Sequence, residues 1–191
     1  MKIVEFTRME NGTQEEYLFL ERLETEDAAA VADRVLQQLE SLRGSHGGYR
    51  IDRYQHSLQS ATRAHRDAAS EELIVAALLH DIGDLLALYN HGEFAAAVLK
   101  PYVTEETYWI VKHHGVFQAF YYAHHLGEDR HAREQYRESP YYSAAINFCQ
   151  NWDQCSFDPD YPTMSIDVFE PMVRRILSRR PFHYFAKAES T

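Results

Sequence analysis

The stretch VAALLHDIGDLL, residues 75 to 86, constrains the fold more than any other. Leu73 to Leu79 is an unbroken apolar run, and it stops at an imidazole and a carboxylate, His80 and Asp81. Ile82, Gly83 and a second carboxylate, Asp84, follow. Burying such groups costs several kcal/mol unless something pairs with them. The chain must therefore fold so that other residues supply a partner, which is a hydrogen bond, one metal ion or two.

The surrounding sequence reads as all-α. Its eight glycines and six prolines fall mostly between segments of helical periodicity, and long alternating strand patterns are missing. After an extended start at Ile3 to Phe6, Thr13 and Glu16 make a capping-box pattern ahead of a helix through about residue 24. A second helix is expected from about 27 to 42, after which SHGG breaks the chain. Further helices are expected near residues 52–67, 70–80, 91–100, 104–114, 117–125, 140–155 and 166–178. Pro101, Pro140 and Pro171 suit helix starts or breaks between helices. The polar stretch GEDRHAREQYRES reads as a charged surface excursion.

A chain of 191 residues with 45% hydrophobic content has room for one compact core. We expect a single domain over residues 1–191, its core at about 50–155, with the N-terminal helices at 14–42 and the C-terminal helix at about 166–178 packed on it. The formal charge of −10 argues against nucleic acid as a partner. The opening MKIVEFTRMENG lacks the apolar stretch of a signal peptide, and no apolar run is long enough to span a bilayer. The expectation is a cytoplasmic protein with no membrane partner, in which Cys149 and Cys155 stay reduced. Arg174, Arg175, Arg179 and Arg180 read as a solvated helix end.

Eleven histidines is a high count, and several sit in apolar surroundings. His56 lies in RYQHSLQSA, His91 opens HGEFAAAVL, His113 and His114 end WIVKHHGVF, and Asp153 lies in FCQNWDQCSF. Any one alone reads as a structural residue that satisfies a backbone carbonyl or a carboxylate. Together with His80-Asp81 they supply the nitrogen and oxygen ligands that borderline divalent metals prefer. Adjacent helical residues point about 100° apart, so His80 and Asp81 cannot address one ion identically. Asp81 has two oxygens, however, and can reach toward a second ion.

His56, then His80-Asp81, then Asp153 resembles the H…HD…D signature of the HD-domain superfamily, an all-helical fold whose members are mostly metal-dependent phosphohydrolases. The resemblance covers roughly residues 50–155. With His91 and the His113-His114 pair, the set is similar to that of the oxygenase branch, which contains myo-inositol oxygenase and the enzymes that cleave hydroxylated aminoalkylphosphonates. The segments VKHHGVF and QNWDQ are the closest local matches. The resemblance implies a single HD-domain helical bundle in which one metal takes His56, His80 and Asp153. Asp81 would bridge to a second metal held by His91 and His114, with His113 as the alternative ligand.

The implied cofactor is an Fe(II)/Fe(III) pair, with Mn or Mg as alternatives. The implied partners are O2 and a small polar substrate, cleaved at a C–C or C–P bond beside a hydroxylated carbon. The alternative is hydrolysis of a nucleotide or another phosphoester by two bridged divalent ions. A non-catalytic domain that binds a small molecule comes third, since such decay usually shows as a lost ligand.

Departures from the family concern the substrate pocket. Three residues after the HD aspartate its members carry Lys or His, whereas this chain has Asp84. Gln118 and Gln150 stand where the phosphonate enzymes carry cations, and Tyr49 and His46 fall near their gating residues. Asp81 and Asp84 are thus the expected catalytic residues, and Asp84, Gln118, Tyr49 and Gln150 the expected substrate-facing ones. An anionic Asp84 beside the metals would favour a cationic or hydroxyl group on the substrate. Its other roles are to cap a helix or to hold a ligand histidine. The aromatic run VFQAFYYAHHLG is expected to pack the core or wall the pocket, with His124 and His125 on that wall or at the surface. His46, His65, His131 and His183 are not expected as ligands.

Overall fold

The computed structural model describes residues 3–181; His183 lies outside this range. Among the described residues the secondary structure is helical throughout, with eight α-helices and no strand. The Thr13–Glu16 capping box has both arms: the Thr13 hydroxyl accepts from the Glu16 amide, and the Glu16 carboxylate accepts from the Thr13 amide at 2.9 Å. It opens α1 (Gln14–Ala28), which buries none of its residues and lies on the surface. α2 (Val31–Glu40) presents Ala32, Val35 and Leu39 to the core at helical spacing.

α3 (Arg53–Arg66) starts at Asp52, whose side chain accepts from the Gln55 amide. α4 (Glu71–Leu79) starts at Ser70 in the same way and buries Ile74 to Leu79 without a break. This is the signature of a helix enclosed on every side. α5 (His91–Leu99) pairs with α6 (Glu105–Gln118), as α3 pairs with α4. α7 (Tyr142–Phe148) runs into a π-helical turn, Cys149–Asp153, that packs on α3 and α6.

α8 (Ile166–Leu177) covers α4 and α2. Its basic end is bonded rather than merely solvated. Arg175 pairs with Glu71 at 2.7 Å, Arg179 with Glu72 at 2.7 Å and Arg174 with Asp33 at 2.7 Å. Cys149 is buried and Cys155 half-buried, both as free thiols. No helix among the described residues is long and apolar enough to cross a membrane.

Four expectations need correction. The break near residue 27 falls later, because α1 continues to Ala28 and α2 begins at Val31. The helix expected at 117–125 is instead the end of α6 followed by two 3-10 turns, Ala119–Tyr121 and Ala123–Leu126. Gly127, in the left-handed region at φ 76°, closes them. The helix expected at 140–155 is α7 and then the π turn. Pro171 lies inside α8 rather than at its start, and the packing of Phe169, Val173, Ile176 and Leu177 holds the helix across it.

Candidate metal centre

The fold brings His56, His80, Asp81, His91, His114 and Asp153 to one place. His56 comes from the first turn of α3, and His80 caps the C-terminus of α4. Asp81 lies in the turn that follows, His91 opens α5, His114 sits on α6, and Asp153 ends the π turn. That turn contains one residue more than an α-helical turn, and it aims Asp153 inward. All six side chains are buried except His91, which is 28% exposed.

The donors form two groups that share Asp81. In the first, the Nε2 atoms of His56 and His80 are 3.2 Å apart. Asp81 Oδ2 lies 3.4 and 3.5 Å from them, and Asp153 Oδ1 lies 3.4 and 3.6 Å from them. In the second, His91 Nε2 and His114 Nε2 are 3.3 Å apart. The other oxygen of Asp81, Oδ1, lies 3.5 and 3.2 Å from them. Donors bonded to one ion at about 2.1 Å stand roughly 3.0 Å apart at right angles and roughly 3.4 Å apart at tetrahedral angles. Both groups fit that spacing, so the cluster could hold metal.

Ring orientation points the same way. His56 Nδ1 faces the Ser156 carbonyl at 2.8 Å, His80 Nδ1 that of Ala77 at 2.9 Å and His114 Nδ1 that of Val111 at 2.7 Å. His91 Nδ1 is 3.3 Å from the Leu88 carbonyl. Each ring that donates through Nδ1 turns the Nε2 lone pair inward, the arrangement by which proteins orient ligating histidines. Converging lone pairs repel unless a proton or a cation lies between them. Asp153 Oδ2, fully enclosed, finds no hydrogen-bond partner among the described residues, which leaves a ligand oxygen to spare.

Without a metal, protons carry the compensating charge. Burial pushes His56 down, but the hydrogen bonds its ring donates to the Asp153 and Asp81 carboxylates outweigh it and leave the ring at about 10. Burial likewise opposes the charged form of His114, and Asp81 reverses the balance and raises it. Burial would raise Asp81, yet His80, His114 and His56 hold it well below the usual carboxylate range. Asp153 is held down in the same way by His56 and His80. Asp84 moves up, through burial and the negative charge of Asp81, against the pull of Arg53 and His91.

The expected substrate-facing residues divide. Gln118 Nε2 donates to Asp153 Oδ1 at 2.6 Å, so Gln118 orients a carboxylate of the cluster. Gln150 is exposed on the π turn and stands outside the cluster. Tyr49 is half-exposed and stacks on Phe157 at 4.8 Å, and Phe157 stacks on His56 at 4.4 Å. Asp84 is buried, and its Oδ2 forms an ion pair with Arg53 Nε at 2.7 Å. The Arg53 guanidinium also lies 3.7 Å from Asp81 Oδ2 and over the Tyr49 ring. The negative charge of Asp84 is thus partly offset by Arg53, a partly exposed cation beside the cluster.

Sequence reasoning missed Arg53, although it stands three residues before His56 on the same helix face. It also missed two glycines that allow close approach. A Cβ on Gly83 would meet the His91 carbonyl at 2.9 Å and its Cα at 3.0 Å, and one on Gly92 would meet the His114 ring at 3.1 Å. The signal was available, since each glycine sits within two residues of a ligand.

His113 points away from the cluster. Its Nδ1 faces the Trp109 carbonyl at 2.8 Å, and its ring packs on Trp109 and Tyr136. It lines an open groove of about 570 Å³ beside His91, together with Glu93, Lys112 and Tyr136. His114→Ala should therefore lower the metal bound per chain while His113→Ala leaves it unchanged, as elemental analysis of both purified variants would show; the reverse result would move the ligand by one residue. The aromatic run divides as well, with Phe117 in the core and Tyr122 half-exposed, while His124 and His125 are exposed. His46 and His131 are exposed and His65 is half-buried, and none belongs to the cluster. The chain matches no protein-family model and no curated protein.

Proposed function

We propose that the chain is a dinuclear oxygenase of the HD type, using O2 to cleave a C–C or C–P bond beside a hydroxylated carbon of a small polar substrate. The observation that carries this reading is the division of Asp81, whose two oxygens each face a separate pair of imidazoles. His56, His80, Asp81 and Asp153 would hold one iron, and His91, His114 and Asp81 the other. The second group has two imidazoles and one carboxylate, the donor set that leaves positions open in oxygen-using iron sites. When bound, the iron pair supplies the one-electron chemistry with O2 that side chains lack.

The chain's own residues supply position and charge. Four backbone carbonyls orient the imidazoles, and Gln118 orients Asp153. Phe157 closes the first group against water by lying over His56. Tyr49 and Arg53 stand beside the first group, with the guanidinium over the Tyr49 ring and facing Asp81 and Asp84.

Arg53 favours one second reading, a metal-dependent phosphohydrolase, because a guanidinium beside two bridged ions suits a phosphoryl group. The test is to measure iron per chain and to follow the Fe(II)/Fe(III) EPR signal and O2 consumption as hydroxylated candidate substrates are added. Two irons, a coupled signal that responds to substrate and O2-dependent cleavage are expected. Phosphate release from nucleotides without O2 would overturn the oxygenase reading in favour of the hydrolase.

A further inference from the structure

We propose that the second ligand group is the exchangeable half of the centre, and that Asp84, fixed by Arg53, is the positioning residue that sets its affinity through His91. This rests on the two-ion reading above. The two groups are unequally prepared for metal. The first has four donor atoms, all on side chains that are 6% exposed or less. Its two imidazoles are anchored at 2.8 and 2.9 Å.

The second group has three donor atoms, and His91 is its weak member. His114 is anchored at 2.7 Å, whereas His91 Nδ1 lies 3.3 Å from the Leu88 carbonyl and 3.5 Å from Asp84 Oδ1. Neither contact alone fixes the ring. His91 also follows a loop whose Leu85, Leu86, Leu88 and Tyr89 are all exposed, so little packing holds the chain ahead of it.

Asp84 supplies what the loop does not. Its Oδ2 forms an ion pair with Arg53 Nε at 2.7 Å, and Oδ1 faces His91 Nδ1 at 3.5 Å. The same guanidinium stands 3.7 Å from the bridging Asp81. Arg53 is on α3, one turn before His56, so it ties the position of Asp84 to the better-built group. The backbone reinforces the link, because the turn carrying Gly83 packs so closely on His91 that a Cβ would meet its backbone. A carboxylate on the far nitrogen of a ligating imidazole orients the ring and raises its basicity, and losing such a partner typically costs about 10- to 100-fold in metal affinity.

The experiment is a titration of the full metal-free chain with Mn(II), counting free ion by EPR. The wild-type chain should take up two ions in two resolved classes. Asp84→Asn, nearly isosteric, should weaken the second class by about 10- to 100-fold and leave the first within about twofold. Arg53→Lys keeps the charge but loses the fork, and should fall between the two. An unchanged second class in Asp84→Asn, or equal weakening of both classes, would overturn the assignment. A wild-type chain that binds one ion or none would overturn the two-ion reading itself, a result distinct from failure of the variants alone.

Discussion

If the chain is the dinuclear oxygenase proposed above, asparagine in place of Asp81 should reduce the bound metal from two ions per chain to at most one and lower turnover by at least about a thousandfold, or roughly 4 kcal/mol of transition-state stabilisation. Both ligand groups use this side chain through different oxygens, at 3.2 to 3.5 Å from four imidazole nitrogens. Without it, the first group keeps His56, His80 and Asp153. The second is left with His91 and His114 alone. Asparagine preserves volume, so the loss is one of charge and of a bridging oxygen rather than of packing. Elemental analysis beside steady-state assays would measure it, and two ions with normal turnover would show that Asp81 bridges nothing.

Metal affinity should rise steeply with pH, by about 10- to 100-fold per unit between pH 6 and 8. In the metal-free fold, Asp153 and Asp81 hold a proton on His56 up to about 10, and Asp81 holds one on His114. The Nε2 atoms that would bind metal must first release those protons. The stability of the metal-free protein runs the other way. A raised histidine contributes fully below its unfolded value near 6.5, and the contribution of His56 is lost as pH climbs through about 10. Asp81 and Asp153 are held down, so their contribution is present above the ordinary carboxylate range and is lost in acid. Calorimetry in buffers of different ionisation enthalpy would count the protons released on binding Mn(II) or Fe(II). An affinity independent of pH would mean that the imidazoles carry no proton to displace.

Much of the fold could be read from local patterns, because the interactions that start these helices are local. Thr13, Asp52, Ser70 and Thr104 each accept from the amide three residues on. The starts of α3, α4 and α6 follow those caps closely. The cluster was legible for a different reason: His80 and Asp81 are too costly to bury alone, which forces a search for partners. The Arg53 partner of Asp84 was not legible, because it comes from α3 and no local rule says which arginine will turn toward a given carboxylate. The aromatic segment after His114 carries helical composition but folds as 3-10 turns, since packing on the core rather than propensity decides its path.

The π turn at Cys149–Asp153 has a consequence for how this site tolerates change. A helix counts residues by angle, and the extra one here advances the phase of every later side chain by about 100°. Asp153 reaches the centre by that count. Substituting the exposed Gln150 changes only what faces solvent, and substituting the exposed Asn151 gives up in addition only its hydrogen bond to Asn147. Removing either one would rewind the turn to α-helical register and swing the carboxylate off the centre, with the chemistry of all six side chains intact. Between Phe148 and Asp153 the number of residues therefore matters more to this site than the identity of those that face outward.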